Sequence, residues 1–167
     1  YHVMLLTVLS LVFPVVMVLA MVADFRTFEI PNELSLVLAL GYPLAALSAG
    51  FSWQQILWAI ALGGLMLVIA VIMIALGILG GGDGKLLAAA VLSTGQERIL
   101  EFLLVTALAD GALTMALMLY RRLPLADQFA RIAALRKMHA EKRNVPYAVA
   151  IGGAGLIIYP HLPILNS

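Results

Sequence analysis

Between Val3 and Ala23 the chain carries no charged residue, and a run of that kind dictates most of what the chain can become. As a helix it would extend about 30 Å, the thickness of a bilayer's hydrocarbon core. Further apolar runs follow at about 34–50, 54–79, 85–95, 98–120 and 145–163. Backbone polar groups find no water partners in hydrocarbon, so a spanning segment must be a helix or part of a closed barrel, and runs near 20 residues select the helix. The stretch 3–23 is too long for the apolar part of a cleavable signal and lacks a basic region before it, so it reads as the first span. Composition agrees. The chain is 63% hydrophobic and 11% charged, where soluble domains hold roughly 45–50% and 25%. The expectation is an all-α integral membrane protein of about six transmembrane helices, one domain over 1–167. Asn32, after Pro31, is placed as N-cap of the second span, which Pro43 is expected to kink. The fourth span, 85–95, covers only about 16 Å. It is therefore short, tilted or continued past Gly95.

Charge sets the orientation. With six spans, the first, third and fifth connections share one side of the membrane, and the other two lie with both termini on the opposite side. The first group holds Arg26, Lys85, Arg121, Arg122, Arg131, Arg136, Lys137, Lys142 and Arg143, and the second only Arg98. Positive charge concentrates on the cytoplasmic side, so both chain ends are expected outside. Asp24 and Asp83 then fall at the same depth, at the cytoplasmic ends of spans one and three, and they meet if those helices pack together. In 121–144, Leu125, Phe129, Ile132 and Leu135 recur at helical spacing among basic residues. That pattern reads as an amphipathic helix in the headgroup layer. It serves as a topology anchor or as a receptor for substrate or lipid.

Ionisable groups at membrane depth are expensive and point to function. Three are available: Asp24, Asp83 and Asp110. Asp83 follows three glycines and opens a helix, where an N-capping role would also account for it. Asp24 ends a helix, where the dipole disfavours negative charge. Two neighbouring carboxylates do not ionise together easily and share a proton, one taking a proton from water while the other donates to a carbonyl. The dipoles of their own helices would make Asp83 the base and leave the proton on Asp24. Asp110 shares a helix face with Thr106 and Thr114. It ties that helix to a neighbour, lines a polar cavity or tunes the pair. The absence of cysteine removes disulfides, thiolate nucleophiles and thiolate metal sites, and His2, His139 and His161 lie far apart, so no cofactor and no metal are expected.

Asp24 followed by Ile30-Pro31-Asn32, then Gly80-Gly81-Gly82-Asp83 with Lys85, resembles the type IV prepilin peptidases. Their GxGD signature is shared with presenilin and signal peptide peptidase. The later Val145-Pro146-Tyr147-Ala148, with the glycine-rich 150–155, is similar to that family's final helix. The resemblance covers about 24 to 156. It implies an intramembrane aspartyl endopeptidase that cuts the short basic leader of a prepilin at the cytoplasmic face of the bacterial inner membrane, just before the hydrophobic pilin helix. Asp24 and Asp83 would be the catalytic pair. Ile30, Pro31, Asn32, Gly80, Gly82, Lys85, Pro146 and Tyr147 would support them. Larger members also N-methylate the new terminus and carry a cysteine-containing cytoplasmic insertion. This chain has no cysteine and a first connection of about ten residues. It therefore resembles the small single-function type of tight-adherence (Flp) pilus systems, without methyltransferase activity. The implied partners are a prepilin and the lipid bilayer, with no nucleic acid. A glycine at the cut weakens the substrate helix there, and Glu29, Glu33 and Asp127 either attract the basic leader or are ordinary interfacial charges. Two other classes stay open on the residues alone: a transporter or channel, whose paths are also marked by membrane acids and broken helices, and a scaffold with structural aspartates.

Overall fold

The computed structural model describes residues 2–122, Arg136 and 145–165. Among the described residues the helices run in order α1 (His2–Thr27), α2 (Asn32–Ser48), α3 (Trp53–Ala75), α4 (Gly81–Arg122) and α5 (Tyr147–Ile158), followed by 3₁₀ turns at Tyr159–His161 and Pro163–Leu165. There is no strand among the described residues. Among the described residues four stretches are long and apolar enough to cross a bilayer: Val8–Thr27, Trp53–Ala75, Gly81–Arg122 and Tyr147–Leu165. The shorter α2 is also apolar, and the chain is an all-helical, multi-pass membrane protein.

α4 is two helices in tandem. Gly95 interrupts it with φ 69° and ψ 168°, a left-handed backbone that a residue with a side chain adopts only under strain. The limb 81–94 ends where the short apolar run 85–95 was expected to end, and 96–122 continues beyond the break. α3 stops earlier than hydropathy implies, at Ala75 and not near 79. Gly77 (φ 71°) donates its N–H to the Ile74 carbonyl at 2.9 Å, and Ile78 donates to Met73 at 2.9 Å. These two bonds form a Schellman closure. Leu76, Ile78 and Leu79 are apolar but belong to the connection. At the other end of α3, Ser52 and Gln55 form a reciprocal capping box. The helix α2 includes Pro43.

The limb 81–94 is the buried axis. Leu86 to Val91, Ser93 and Thr94 are all buried, and only Gly81 and Lys85 of this limb are exposed. α4 packs against α3, α5 and α2, while α1 packs against α2 and α5. Large side chains such as Leu40, Leu65, Leu100 and Met115 point outward. In water these would be a liability, and in lipid they are the expected surface. Lipid is as apolar as leucine, so association inside the bilayer relies on close packing of small residues. At Gly152 an added Cβ would strike the Met21 side chain and lie 3.1 Å from the Met17 carbonyl oxygen, and at Gly155 it would meet Met17 and Phe13 at 3.2 Å. Phe13 and Tyr159 stack nearby, with ring centroids 6.3 Å apart.

Gly152 and Gly153 make a matched pair, since an added Cβ at Gly153 meets nothing within 4 Å. Gly152→Ala is expected to cost about 1–3 kcal/mol through overpacking. Gly153→Ala should be neutral or stabilising by up to about 1 kcal/mol. Thermal unfolding of the two variants in detergent checks this, with a lowered midpoint for the first alone.

Candidate active site

Asp24 lies three residues from the end of α1 and is 3% exposed. Its own helix turns the negative end of its dipole toward it. The compensation comes from another helix. Ala148 N–H donates to Asp24 Oδ2 at 2.8 Å. Ala148 is the second residue of α5, so its amide is one of the donors that an α-helix leaves without an internal partner. Such an N-terminus favours an anion. Pro146, fully buried, precedes α5 with φ −75° and fixes the chain's approach. Asp24 is thus held at the N-terminus of α5, which opposes the unfavourable dipole of its own helix.

Asp83 is not the N-cap. The helix starts at Gly81, which makes Asp83 its third residue. Its carboxyl lies against Gly80, and Asp24 and Asp83 line one common hollow. Asp83 Oδ1 is buried and has no hydrogen-bond partner among the described residues, the condition of an acceptor awaiting water or substrate. Spans one and three are not what brings the pair together: α5 does so by packing on both α1 and α4.

The supporting residues lock the two motifs to each other. Gly82 lies against Ile30, with an added Cβ only 3.1 Å from the Ile30 Cβ. Lys85 Nζ donates to Asn32 Oδ1 at 2.9 Å. Pro31 is the N-cap of α2, which has no side-chain cap bond, and Asn32 is the first helical residue. The expected capping role of Asn32 is thus replaced by a tie to the limb that carries Asp83. At Gly80 an added Cβ would stand 2.5 Å from Asp83 Oδ2, so glycine there leaves room for the carboxyl.

Two polar hollows meet at Asp83. One, of about 300 Å³, is lined by Asp24, Phe28, Gly80, Asp83, Val145 and Tyr147 among others. The other, of about 340 Å³, lies between the Phe28–Asn32 connection and Gly80–Asp83. Each is large enough for several waters, at about 30 Å³ per molecule. Phe28 lines both and takes a left-handed backbone (φ 56°), its N–H closing α1 on the Asp24 carbonyl at 2.9 Å. A bulky residue in that conformation is strained. Sequence reading missed Phe28 and the Ala148 amide. The proline before a late apolar helix was the available signal for the second, since it marks a helix N-terminus.

Asp110, on 96–122, lies within electrostatic reach of Asp83 and of Tyr147. Its Oδ1 and the Thr106 Oγ1 one turn earlier are buried without partners among the described residues. That oxygen does not tie its helix to a neighbour among the described residues. Glu29 borders the second hollow. Asp127 and the amphipathic pattern of 121–144, Arg121, Arg122 and Arg136 apart, lie outside the described residues.

The model of the type IV leader peptidase family matches residues 11–115. That range includes Asp24, Asp83 and Asp110, and leaves Pro146 to Ala148 outside. No curated protein and no solved structure matches the chain.

Removing the Asp24 acceptor should expose the cost of the buried amide. Asp24→Ala leaves Ala148 N–H without its bond and is expected to destabilise by about 1–3 kcal/mol. Asp24→Asn keeps an acceptor and should stay within about 1 kcal/mol of the parent. Denaturation in detergent of both variants, beside the parent, reads the difference.

Proposed function

The chain belongs to the type IV leader peptidase family, and we propose that it acts as an aspartic endopeptidase in which Asp24 and Asp83 remove the leader of a Flp-type prepilin. The observation that carries this reading is the placing of both carboxylates on one hollow of water size, with Asp24 bonded to the Ala148 amide. One carboxylate takes a proton from water as the oxygen attacks the scissile carbonyl. The other donates its proton to the developing oxyanion and, after collapse, the amine leaves with a proton. The unpartnered Asp83 Oδ1 faces this work without a competing bond. The scissile segment must be extended to be attacked, and the glycines at 80–82 leave backbone space beside it.

The membrane placement follows from charge. Six crossings, with 81–94 and 96–122 as separate spans and both ends outside, put Arg26, Lys85, Arg121, Arg122 and Arg136 on one face. That face is then cytoplasmic, in the bacterial inner membrane. A basic leader would approach there, beside Glu29 and Glu33. The first connection, 28–31 between α1 and α2, holds no separate domain, which supports leader cleavage without N-methylation. Mature pilin produced by this protein alone should therefore carry an unmodified N-terminal amine by mass spectrometry.

The decisive test is co-expression with Flp-type prepilins in a strain lacking its own prepilin peptidases. The parent should yield leader-free pilin. Asp24→Asn and Asp83→Asn should insert normally and lose about 10²-fold or more of the cleavage rate. Gly80→Ala should also insert, with its methyl group pushing the Asp83 carboxyl aside and cleavage falling with it. Cleavage that persists in either asparagine variant removes that residue from the site.

A further inference from the structure

A third hollow, of about 630 Å³, opens between α2 and α3 with the limb 81–94 as its floor. It is almost wholly apolar and is bounded by three stripes of the same period. α2 presents Asn32, Leu36 and Ala39, α3 presents Ile60, Gly63, Gly64 and Leu67, and the floor presents Lys85, Ala88, Ala89 and Leu92. Each stripe follows the i, i+3 or i+4, i+7 spacing of one helix face, so the hollow is a slot about two turns, or 10 Å, long. α2 and α3 both pack on α4 and make no extensive contact with each other. The residues that keep the slot open are small. An added Cβ at Gly64 meets nothing within 4 Å, whereas at Gly63 it would run into Leu92 at 2.8 Å.

Small walls alone would not identify an occupant. Ser35 does more. It lines the slot, is 7% exposed, and its Oγ has no partner among the described residues. Ser48 and Ser93 both bond the carbonyl four residues back, at 2.9 and 3.0 Å, and Ser35 does not. A buried hydroxyl in apolar surroundings costs free energy until something accepts from it or donates to it. A lipid chain offers no such group, and a helix backbone or side chain does. The slot is also continuous with the site. Asn32 borders both the slot and the hollow that contains Asp83. Its tie to Lys85 marks the polar mouth at that end.

We propose that the slot between α2 and α3 receives the apolar helix of the substrate, packed against Gly64, Ala88 and Ala89 with Ser35 bonded to it. This rests on the leader-peptidase reading and adds a docking surface to it. The substrate helix ends near Asn32 and Lys85, and the extended segment before it passes Gly80–Gly82 to reach Asp83. Specificity for a leader joined to a membrane helix then comes from two places, the slot for the helix and the glycine loop for the bond.

The chain has no cysteine, so single thiols report cleanly in the full protein in membranes. Gly64→Cys, in an Asp83→Asn background that keeps the prepilin intact, should cross-link to a cysteine in the first two turns of the prepilin's apolar helix. Leu65→Cys, at the same depth but 58% exposed on another face, should not. In the active protein Gly64→Phe should lower prepilin cleavage by about tenfold or more, with Leu65→Phe within about twofold of the parent. Equal cross-linking from both positions overturns the proposal, as does normal cleavage by Gly64→Phe. So does protection of Gly64→Cys from a thiol reagent that is the same with and without prepilin, which would mean lipid alone fills the slot. If Gly64→Phe does not accumulate, the cross-link decides. Failure of the parent to cut any prepilin counts against the peptidase reading and leaves the cross-linking result to judge the slot.

Discussion

The arrangement around Asp24 depends on one backbone hydrogen bond. A carboxylate buried at the C-terminal end of a helix faces the wrong end of that helix's dipole and is largely withdrawn from solvent. Ala148 N–H, at the start of α5, donates to that carboxylate and offsets both costs. The bond only forms if α5 lies hard against α1. Gly152 and Gly155 permit that by letting the α5 backbone reach Met17 and Met21. Pro146 then sets the angle at which the helix begins. The glycines, the proline and the aspartate are thus parts of one mounting, spread over more than a hundred residues of sequence.

The second carboxylate is mounted differently. Asp83 belongs to the first turn of 81–94, so its helix favours it without outside help. That limb is held at the centre of the molecule by α2, α3 and α5, and is tied at its start to the end of the α1–α2 connection through Gly82 on Ile30 and Lys85 on Asn32. Rigid mounting from two directions suits a pair whose chemistry requires hydrogen-bond distances, while the neighbouring strain at Phe28 lies in the connection that borders both polar hollows. Outside this centre the surface is lipid-facing leucine, isoleucine and valine, which carry little information about partners. The slot beside α2 departs from that surface because small residues leave it open and a hydroxyl is stranded in it.

Much of this was legible in the residues. Uncharged runs marked the helices because a bilayer tolerates no other open-chain solution. Gly95 marked the break in α4 because it follows Ser93 and Thr94 at the end of a run too short to span. The two aspartate motifs stood out as acids where acids are costly. Other features were hidden for physical reasons. Hydropathy could not end α3 at Ala75, since Leu76, Ile78 and Leu79 are as apolar as the helix, and only Gly77 betrayed the turn. Asn32 looked like a cap from its neighbours, yet its side chain is used 53 residues away by Lys85. The Ala148 amide has no side-chain signature at all. The assumption that spans one and three pack together failed because parity fixes depth and side but not which helices are neighbours.

Asp24 and Asp83 line one hollow beside the start of α5. The cysteine-free chain allows a direct test. Asp24→Cys and Asp83→Cys, combined in one protein in native membranes, should be joined within the chain by a short bifunctional thiol reagent, and the link should be lost when Gly152→Ala forces α5 away from α1. Modification of each cysteine separately, with no link between them under any condition, would contradict the account.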